Sequence, residues 1–301
     1  MLNFRYHLVS LIAVFAALAV GVVLGAGPLQ TRISSSLAKS EASTGVDANA
    51  LAEAQRAASA DAAGLRSIAE ARLSGSLSGL KIATLALPGA SKDDVDSVTE
   101  GLKAAGAEVV GAVSLTSNWE SSGMAKYRET LSTPLATHLA SLPSNASSDA
   151  VIAFGVVATL ASTGSETDLV REILTDESTP ILALDSDPKG AAQAIVAVGA
   201  RDSARSTDAA QSTGGASPEA WSGLARAVAG APKSGVLVGD AHDATSMIAS
   251  LRASGAQVTT IDSPGTALSV VSAVAALRDA AAQARSFGVG QGAEKVMPTL
   301  P

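Results

Sequence analysis

The first strong pattern along the chain is an uncharged apolar run from Leu8 to Gly27, LVSLIAVFAALAVGVVLGAG. About 20 such residues match the roughly 30 Å hydrocarbon core of a bilayer, so the run predicts a single transmembrane anchor over residues 1–27. Arg5 in the short tail before this run favours a cytoplasmic N-terminus. We therefore expect an inner-membrane protein with most of its chain outside the cytoplasm. A cleaved signal peptide is the competing interpretation, because Val23-Leu24-Gly25 offers small residues at a suitable spacing.

Residues 28–80 are dominated by Ala, Ser, Glu, Gln and Arg and predict a helical stalk. Its apolar residues have heptad-like spacing over little more than three heptads: Leu51, Ala54, Ala58, Leu65 and Ile68. Because only three of them are large, the pattern favours a weak coiled coil that pairs as a homodimer or with a partner. We therefore expect Leu51, Ala58, Leu65 and Ile68 to be interaction residues. The following SGSLSG has the composition of a flexible joint.

Apolar runs then alternate with amphipathic segments over residues 81–200. KIATLAL predicts a strand, Pro88-Gly89 a turn, and Ser91 with Asp94 a capping-box-like start of a helix that ends near Gly106. AEVVGAVSL, DAVIAFGVV and PILALD predict further strands, with TDLVREIL as a helix between the last two. Strands that alternate with helices predict a Rossmann-like parallel sheet, the first α/β half-domain.

The same order recurs in residues 218–301, where VLVGD, DATSMIASLRASG and AQVTTID predict strand, helix and strand. In both copies the predicted helix ends at the pattern Ala-x-Gly-Ala, at 104–107 and 253–256. A left-handed helix C-cap requires glycine at this point, so capping alone explains the shared glycine. The shared order of strand, helix and strand, however, predicts a duplicated half-domain. Residues 201–217 are poor in large apolar side chains and predict a surface linker between the halves. An Ala-rich helix from Ala267 to Arg285 precedes a glycine-rich tail.

The amino-acid composition of the chain argues against several classes of function. The 301 residues carry 21 Lys and Arg against 28 Asp and Glu, so the chain lacks the basic surface that binds a phosphate backbone, and nucleic acid is not an expected partner. The cysteine count is zero, which excludes disulfides, thiolate metal sites and cysteine nucleophiles.

Candidate chemistry is sparse, and we expect no enzyme. Gly288-Val289-Gly290-Gln291-Gly292 is superficially similar to a dinucleotide-binding motif, but it follows a helix instead of a strand, which disfavours nucleotide binding. The best candidate site is Asp240, His242 and Asp243, because it places two carboxylates and an imidazole after a strand, where open α/β sheets bind ligands. The two interpretations left open are a hard-metal or polar-ligand site, and turn and helix-capping residues without a ligand.

The combined pattern resembles the actinobacterial copper transporter family MctB, whose close relatives are called SteB. The most specific resemblance is HLVSLIAVFAALAVGVVLG, His7 to Gly25, and it extends over a helical stalk, a doubled α/β region and FGVGQGA near the end. Phe287 stands where the family usually has tyrosine, so no role can rest on that hydroxyl. The resemblance implies an envelope protein of copper homeostasis or, for SteB-like members, a cell-division partner of a membrane protein and of peptidoglycan hydrolase control.

The amino-acid sequence does not support the copper and cell-division roles equally. Cu(I) carriers use soft thiolate and thioether ligands, whereas this chain has no Cys and four separated Met, so copper is implied as a cofactor by the resemblance only. We therefore expect a non-enzymatic scaffold or regulator linked to cell division, with the lipid bilayer and a membrane protein or hydrolase regulator as partners. Copper transport is the alternative, and an unrecognised enzyme around Asp240, His242 and Asp243 is the third hypothesis.

Overall fold

The computed structural model describes residues 28–201, 218–281 and 283–301. The chain divides into two compact units, residues 1–61 and 62–301. The described part of the first unit is helical and belongs to helix α1 (Pro28–Leu73). The second unit begins within the same helix and contains every strand of the described chain.

Seven strands form one sheet in the second unit. They are β1 (Lys81–Ala86), β2 (Glu108–Leu115), β3 (Leu182–Ser186), β4 (Ala194–Val198), β5 (Gly235–Val238), β6 (Thr259–Ile261) and β7 (Ser286–Phe287). Their spatial order is β3-β2-β1-β4-β5-β6-β7. Strands β2 and β3 pair antiparallel, and all other neighbours are parallel, so the sheet is mixed.

Helices cover both faces of this sheet. After α1 the described chain forms α2 (Lys92–Ala104), α3 (Ala125–Thr137), α4 (Ser148–Ala161), α5 (Ser165–Leu174), α6 (Pro218–Ala229), α7 (Met247–Ala253) and α8 (Ala267–Leu277). One core packs α3 to α7 on the sheet around residues such as Leu135, Ile152 and Leu224. The other packs the end of α1, α2 and α8 around Leu73, Leu102 and Val274. The fold is therefore a three-layer α/β sandwich.

The predicted duplication of parallel half-domains is wrong. Strand β4 ends shortly before the predicted linker and β5 begins after it, yet the two pair in parallel from Ile195–Gly235 to Val198–Val238. One sheet thus runs through both predicted halves, and antiparallel β3 closes its edge. The two copies of strand, helix and strand lie in that single sheet because each is an ordinary βαβ unit, which repeats wherever parallel strands are connected.

One predicted strand is a helix. DAVIAFGVV belongs to α4, whose N-cap Ser147 accepts a hydrogen bond from the N–H of Ala150. The helix is buried on most of its surface because it lies between the sheet and its neighbours α3 and α6. A helix buried all round has no polar face, so its sequence has the continuous apolar run of an interior strand.

The predicted membrane span, Leu8 to Gly27, lies outside the described residues. Within the described ranges no helix combines the length and apolarity needed to cross a bilayer. The predicted parallel half-domains are therefore corrected to a single mixed α/β sheet in the part of the chain that the structure describes.

Candidate functional site

Three loops after neighbouring strands meet at the carboxyl edge of the sheet. Strands β5, β6 and β7 are adjacent and parallel, so the segments that follow them lie side by side. They border an open crevice of about 420 Å³. It is lined by Asp240, Ala241, His242, Asp262, Ser263, Val289, Gly290 and Gln291. The predicted site residues Asp240 and His242 thus adjoin the C-terminal glycine motif, a proximity that the sequence did not reveal.

The predicted loop after β5 makes mainly local hydrogen bonds. Asp240 accepts from the N–H of His242 at 3.0 Å and from the hydroxyl of Ser246. Asp243 accepts from the hydroxyl and N–H of Thr245, at 2.6 and 2.7 Å, and these bonds hold the pKa of Asp243 below its ordinary value. The His242 ring is exposed. Both carboxylates therefore order the start of α7, as expected for turn and capping residues.

Arg252 forms a buried ion pair with Asp262, which lines the crevice. Arg252 donates from Nη1 to Oδ2 of Asp262 at 2.9 Å, and their side chains are only 3% and 1% exposed. The guanidinium also donates to the carbonyl oxygens of Phe287 and Gln291, each at 2.8 Å, and to the hydroxyl of Thr260 at 3.0 Å. Arg252 thereby ties α7 to β6 and to both ends of the glycine motif.

The glycine motif wraps the carboxylate of Asp262. The N–H groups of Val289 and Gly290 donate to its two oxygens at 2.8 and 2.9 Å, and the Ser263 hydroxyl donates at 2.8 Å. Burial acts to raise the pKa of Asp262, but the Arg252 guanidinium and these donors outweigh it and hold the pKa below its ordinary value. A glycine-rich loop that resembles a phosphate-binding motif thus binds a carboxylate of its own chain.

Two glycines of this loop are required by close approach. Gly288 has φ +134, and a Cβ added there would lie about 2.0 Å from Oδ1 of Asp262. A Cβ on Gly290 would lie 2.7 Å from the carbonyl oxygen of Ala241. The loop can therefore contact the carboxylate and the β5 loop only because these positions lack side chains.

The chain's own side chains fill the place where open α/β sheets usually bind ligands, between the carboxyl ends of β1 and β4. Arg201 after β4 donates from Nε to Asp94 of α2 at 2.8 Å and makes a second bond to the same carboxylate, which raises the pKa of Arg201. A cavity of about 20 Å³ at this edge is bordered by Pro88, Ala200, Trp221 and Met247 and not by the ion pair.

The predicted stalk residues have different surroundings. Leu51 is 60% and Ile68 56% exposed, and Ala58 is also exposed. Leu65 is half-buried because it packs beside Ala69 and Leu73 of the chain's own α/β core. Of the four predicted interaction residues, Leu51, Ala58 and Ile68 are thus left in solvent, whereas Leu65 contributes to packing.

A half-open groove of about 460 Å³ lies between the end of α1, α2 and α8. Its floor is apolar and includes Ala69, Leu73 and Val274, and its rim carries Arg66 and Glu70. The groove adjoins the part of α1 on which Ile68 is exposed, so this end of α1 presents apolar surface on more than one side.

Sequence reasoning missed Arg252, Asp262 and the role of the glycine motif. The available signal was Asp262 directly after an apolar strand, similar to Asp240, which is the second residue after β5. His138 lies away from this site and pairs with Glu166, with Nδ1 2.7 Å from Oε2.

Comparison with known proteins gives one family. The model described as copper transport outer membrane protein, MctB, matches residues 1–298. No curated protein matches the chain.

Proposed function

Because the chain belongs to the MctB family, we propose that it is a cell-envelope protein of copper transport that acts by binding a second protein chain through the exposed side of α1. The observation that carries this proposal is the exposure of Leu51 and Ile68 on a long helix that is rich in alanine and serine.

Helix energetics support association. A helix without tertiary contacts is marginal in water, because its stability in proteins comes mostly from packing an apolar face. From residue 48 to 61 almost every side chain of α1 is exposed. Burial of a leucine or isoleucine side chain is worth about 1.5 to 3 kcal/mol, so a partner helix that covers Leu51 and Ile68 would stabilise α1.

A second copy of the chain is the partner that we propose. Leu51 and Ala58 lie seven residues apart and Ile68 follows ten residues later, which fits the seven-residue period of a two-helix seam, whereas Leu65 packs on the chain's own core. The same helix in a second copy carries the same seam, so the pairing requires no other protein.

Copper chemistry also favours a role through assembly. The chain has no cysteine, and both carboxylates of the predicted Asp240, His242 and Asp243 site accept hydrogen bonds from their own loop. We therefore propose that this loop orders α7 and is not a copper ligand. A role in cell division or hydrolase control stays a prediction from the SteB resemblance. The absence of enzymatic activity stays a prediction from the lack of catalytic motifs in the sequence.

The test compares the full-length chain with a Leu51→Ser, Ile68→Ser double variant. Sedimentation should give a dimer for the wild type and a monomer for the double variant. Val296→Ser is the matched control, because Val296 is as exposed as Ile68 but lies near the C-terminus. In cells that lack the protein, the wild type and the control should restore the copper content, whereas the double variant should not.

The two parts of the proposal can fail separately. A monomeric double variant that restores the copper content would refute association as the mode of action. Copper content that does not depend on the protein at all would refute the link to copper transport.

A further inference from the structure

We propose that a second groove, between α6 and α7, binds a short zwitterionic peptide of about three residues. The groove has a volume of about 440 Å³, within the range typical of ligand sites. It lies on the face of the sheet opposite to the end of α1, so it is independent of the proposed association.

The groove has an apolar floor and polar walls. Trp221, Met247 and Leu251 form the floor, and Trp221 is held by an edge-to-face contact with Trp119 at 6.3 Å between ring centres. A rigid aromatic floor with a few polar groups around it is the usual composition of a small-molecule site.

Opposite charges stand at the two ends of the α6 wall. Glu219, Ser222 and Arg226 line the groove in that order, and both charged side chains are exposed. Seven residues of helix separate Glu219 from Arg226, which is about 10.5 Å along the axis. An extended peptide advances about 3.3 to 3.6 Å per residue, so three residues span this separation. Glu219 therefore suits the peptide's ammonium group and Arg226 its carboxylate.

The opposite wall supplies hydrogen-bond acceptors. The hydroxyls of Ser250 and Ser254 line the groove, and each donates its hydrogen to a carbonyl oxygen of its own chain, Ala244 and Leu251 respectively. Their oxygen lone pairs remain to accept hydrogen bonds. The N–H groups of a peptide are the donors that this wall fits, and the amide of Asn145 at the groove's edge can both donate and accept.

Helix electrostatics offer the competing explanation of the two charges. An acidic residue in the first turn and a basic one in the last turn both stabilise a helix through its dipole. That explanation predicts effects on stability but none on ligand binding, so the two are separable by experiment.

In the experiment, full-length protein is titrated with trialanine, and binding is measured by calorimetry and by tryptophan fluorescence. Only two tryptophans are present, and the fluorescence change should disappear in Trp221→Phe. Acetylation of the N-terminus and amidation of the C-terminus should each weaken binding about three- to five-fold, as expected for an exposed ion pair.

Two variants test which side chain binds each end of the peptide. Glu219→Gln should abolish the preference for a free N-terminus and keep that for a free C-terminus, whereas Arg226→Gln should do the reverse. Glu172→Gln, an exposed acid on α5, is the control and should change neither. Thermal unfolding identifies any variant that fails to fold. Equal affinity for trialanine and its doubly blocked form, or no binding heat with either, would overturn the proposal and leave the helix dipole as the explanation.

Discussion

Arg252 donates from Nη1 to Oδ2 of Asp262 across 2.9 Å, and both side chains are almost fully buried. This one ion pair connects α7, β6 and the glycine motif that follows β7, because Arg252 also binds the carbonyl oxygens of Phe287 and Gln291. The C-terminal end of the sheet is thus organised around a charge within the protein and not around a ligand phosphate.

Loss of the Asp262 charge should destabilise the fold strongly. In Asp262→Asn the Arg252 guanidinium stays buried without its counter-ion, a change that typically costs about 3 to 5 kcal/mol. Urea denaturation of full-length protein measures it. Asp168→Asn is the control, because Asp168 pairs with Arg171 at 2.8 Å on the surface and should cost about 1 kcal/mol or less. Equal losses in the two variants would contradict the central role of Asp262.

The same carboxylate should make stability depend on acidity. The pKa of Asp262 is lower in the folded protein than its ordinary value of 3.8, so on acidification the unfolded chain takes up the proton first. Its contribution is therefore complete above about pH 5 and is lost as the pH falls through the folded pKa. Urea midpoints from pH 7 down to pH 2 should fall less steeply in Asp262→Asn than in the wild type. Parallel profiles would show that Asp262 is not the carboxylate responsible.

Two glycine substitutions should have opposite effects. Gly288→Ala places a Cβ against the Asp262 carboxylate at positive φ and should cost at least about 1 kcal/mol. Gly64→Ala lies in α1 with open space around the new Cβ and should stabilise the protein by up to about 1 kcal/mol. The free energy of unfolding measures both effects. If Gly288→Ala leaves it unchanged, the glycine motif can move away from the carboxylate without loss of stability.

The sequence predicts much of the local structure. Strands β1 and β2 and the helix between them lie where the apolar runs and Ser91 place them, but the predicted capping box does not form, because Ser91 makes no side-chain capping bond and Asp94 binds Arg201. Strand β4, AIVAV, was missed although it is buried along its whole length, because a short apolar run after a loop has no periodicity of its own. Helix α4, which the sequence predicts as a strand, has a continuous apolar run because it is buried on most of its surface. Its 14 residues and the cap at Ser147 were the signals that favoured a helix.

The site could be predicted only in part. The loop Asp240 to Asp243 was found because its carboxylates directly follow a strand. The partnership of Arg252 with Asp262 and the glycine motif depends on the order of β5, β6 and β7 in the sheet, which local patterns do not specify. The prediction that the glycine motif follows a helix is wrong, because Ser286–Phe287 form a strand directly before it, and its contact with Asp262 was not predicted.

The chain should hold no tight Cu(I) ion at the Asp240, His242 and Asp243 loop. Tight Cu(I) binding requires convergent sulfur or imidazole ligands, and Met247, which closely follows this loop in the chain, is a packing residue. Its Cε lies 3.2 Å from the position of a Cβ on Gly199 and 2.4 Å from that of one on Gly239, so the thioether fills the space that these glycines leave.

A competition titration of full-length protein against a strong Cu(I) chelator measures this directly, with His242→Ala and Met247→Leu compared with the wild type. We expect all three proteins to lose copper to the chelator at the same concentration, because none offers the second and third soft ligands that the ion needs. A stoichiometric copper ion that the wild type retains and His242→Ala releases would show that the loop is a copper ligand. In that case copper handling by this domain itself, and not association through α1, would be the basis of the protein's role in copper transport.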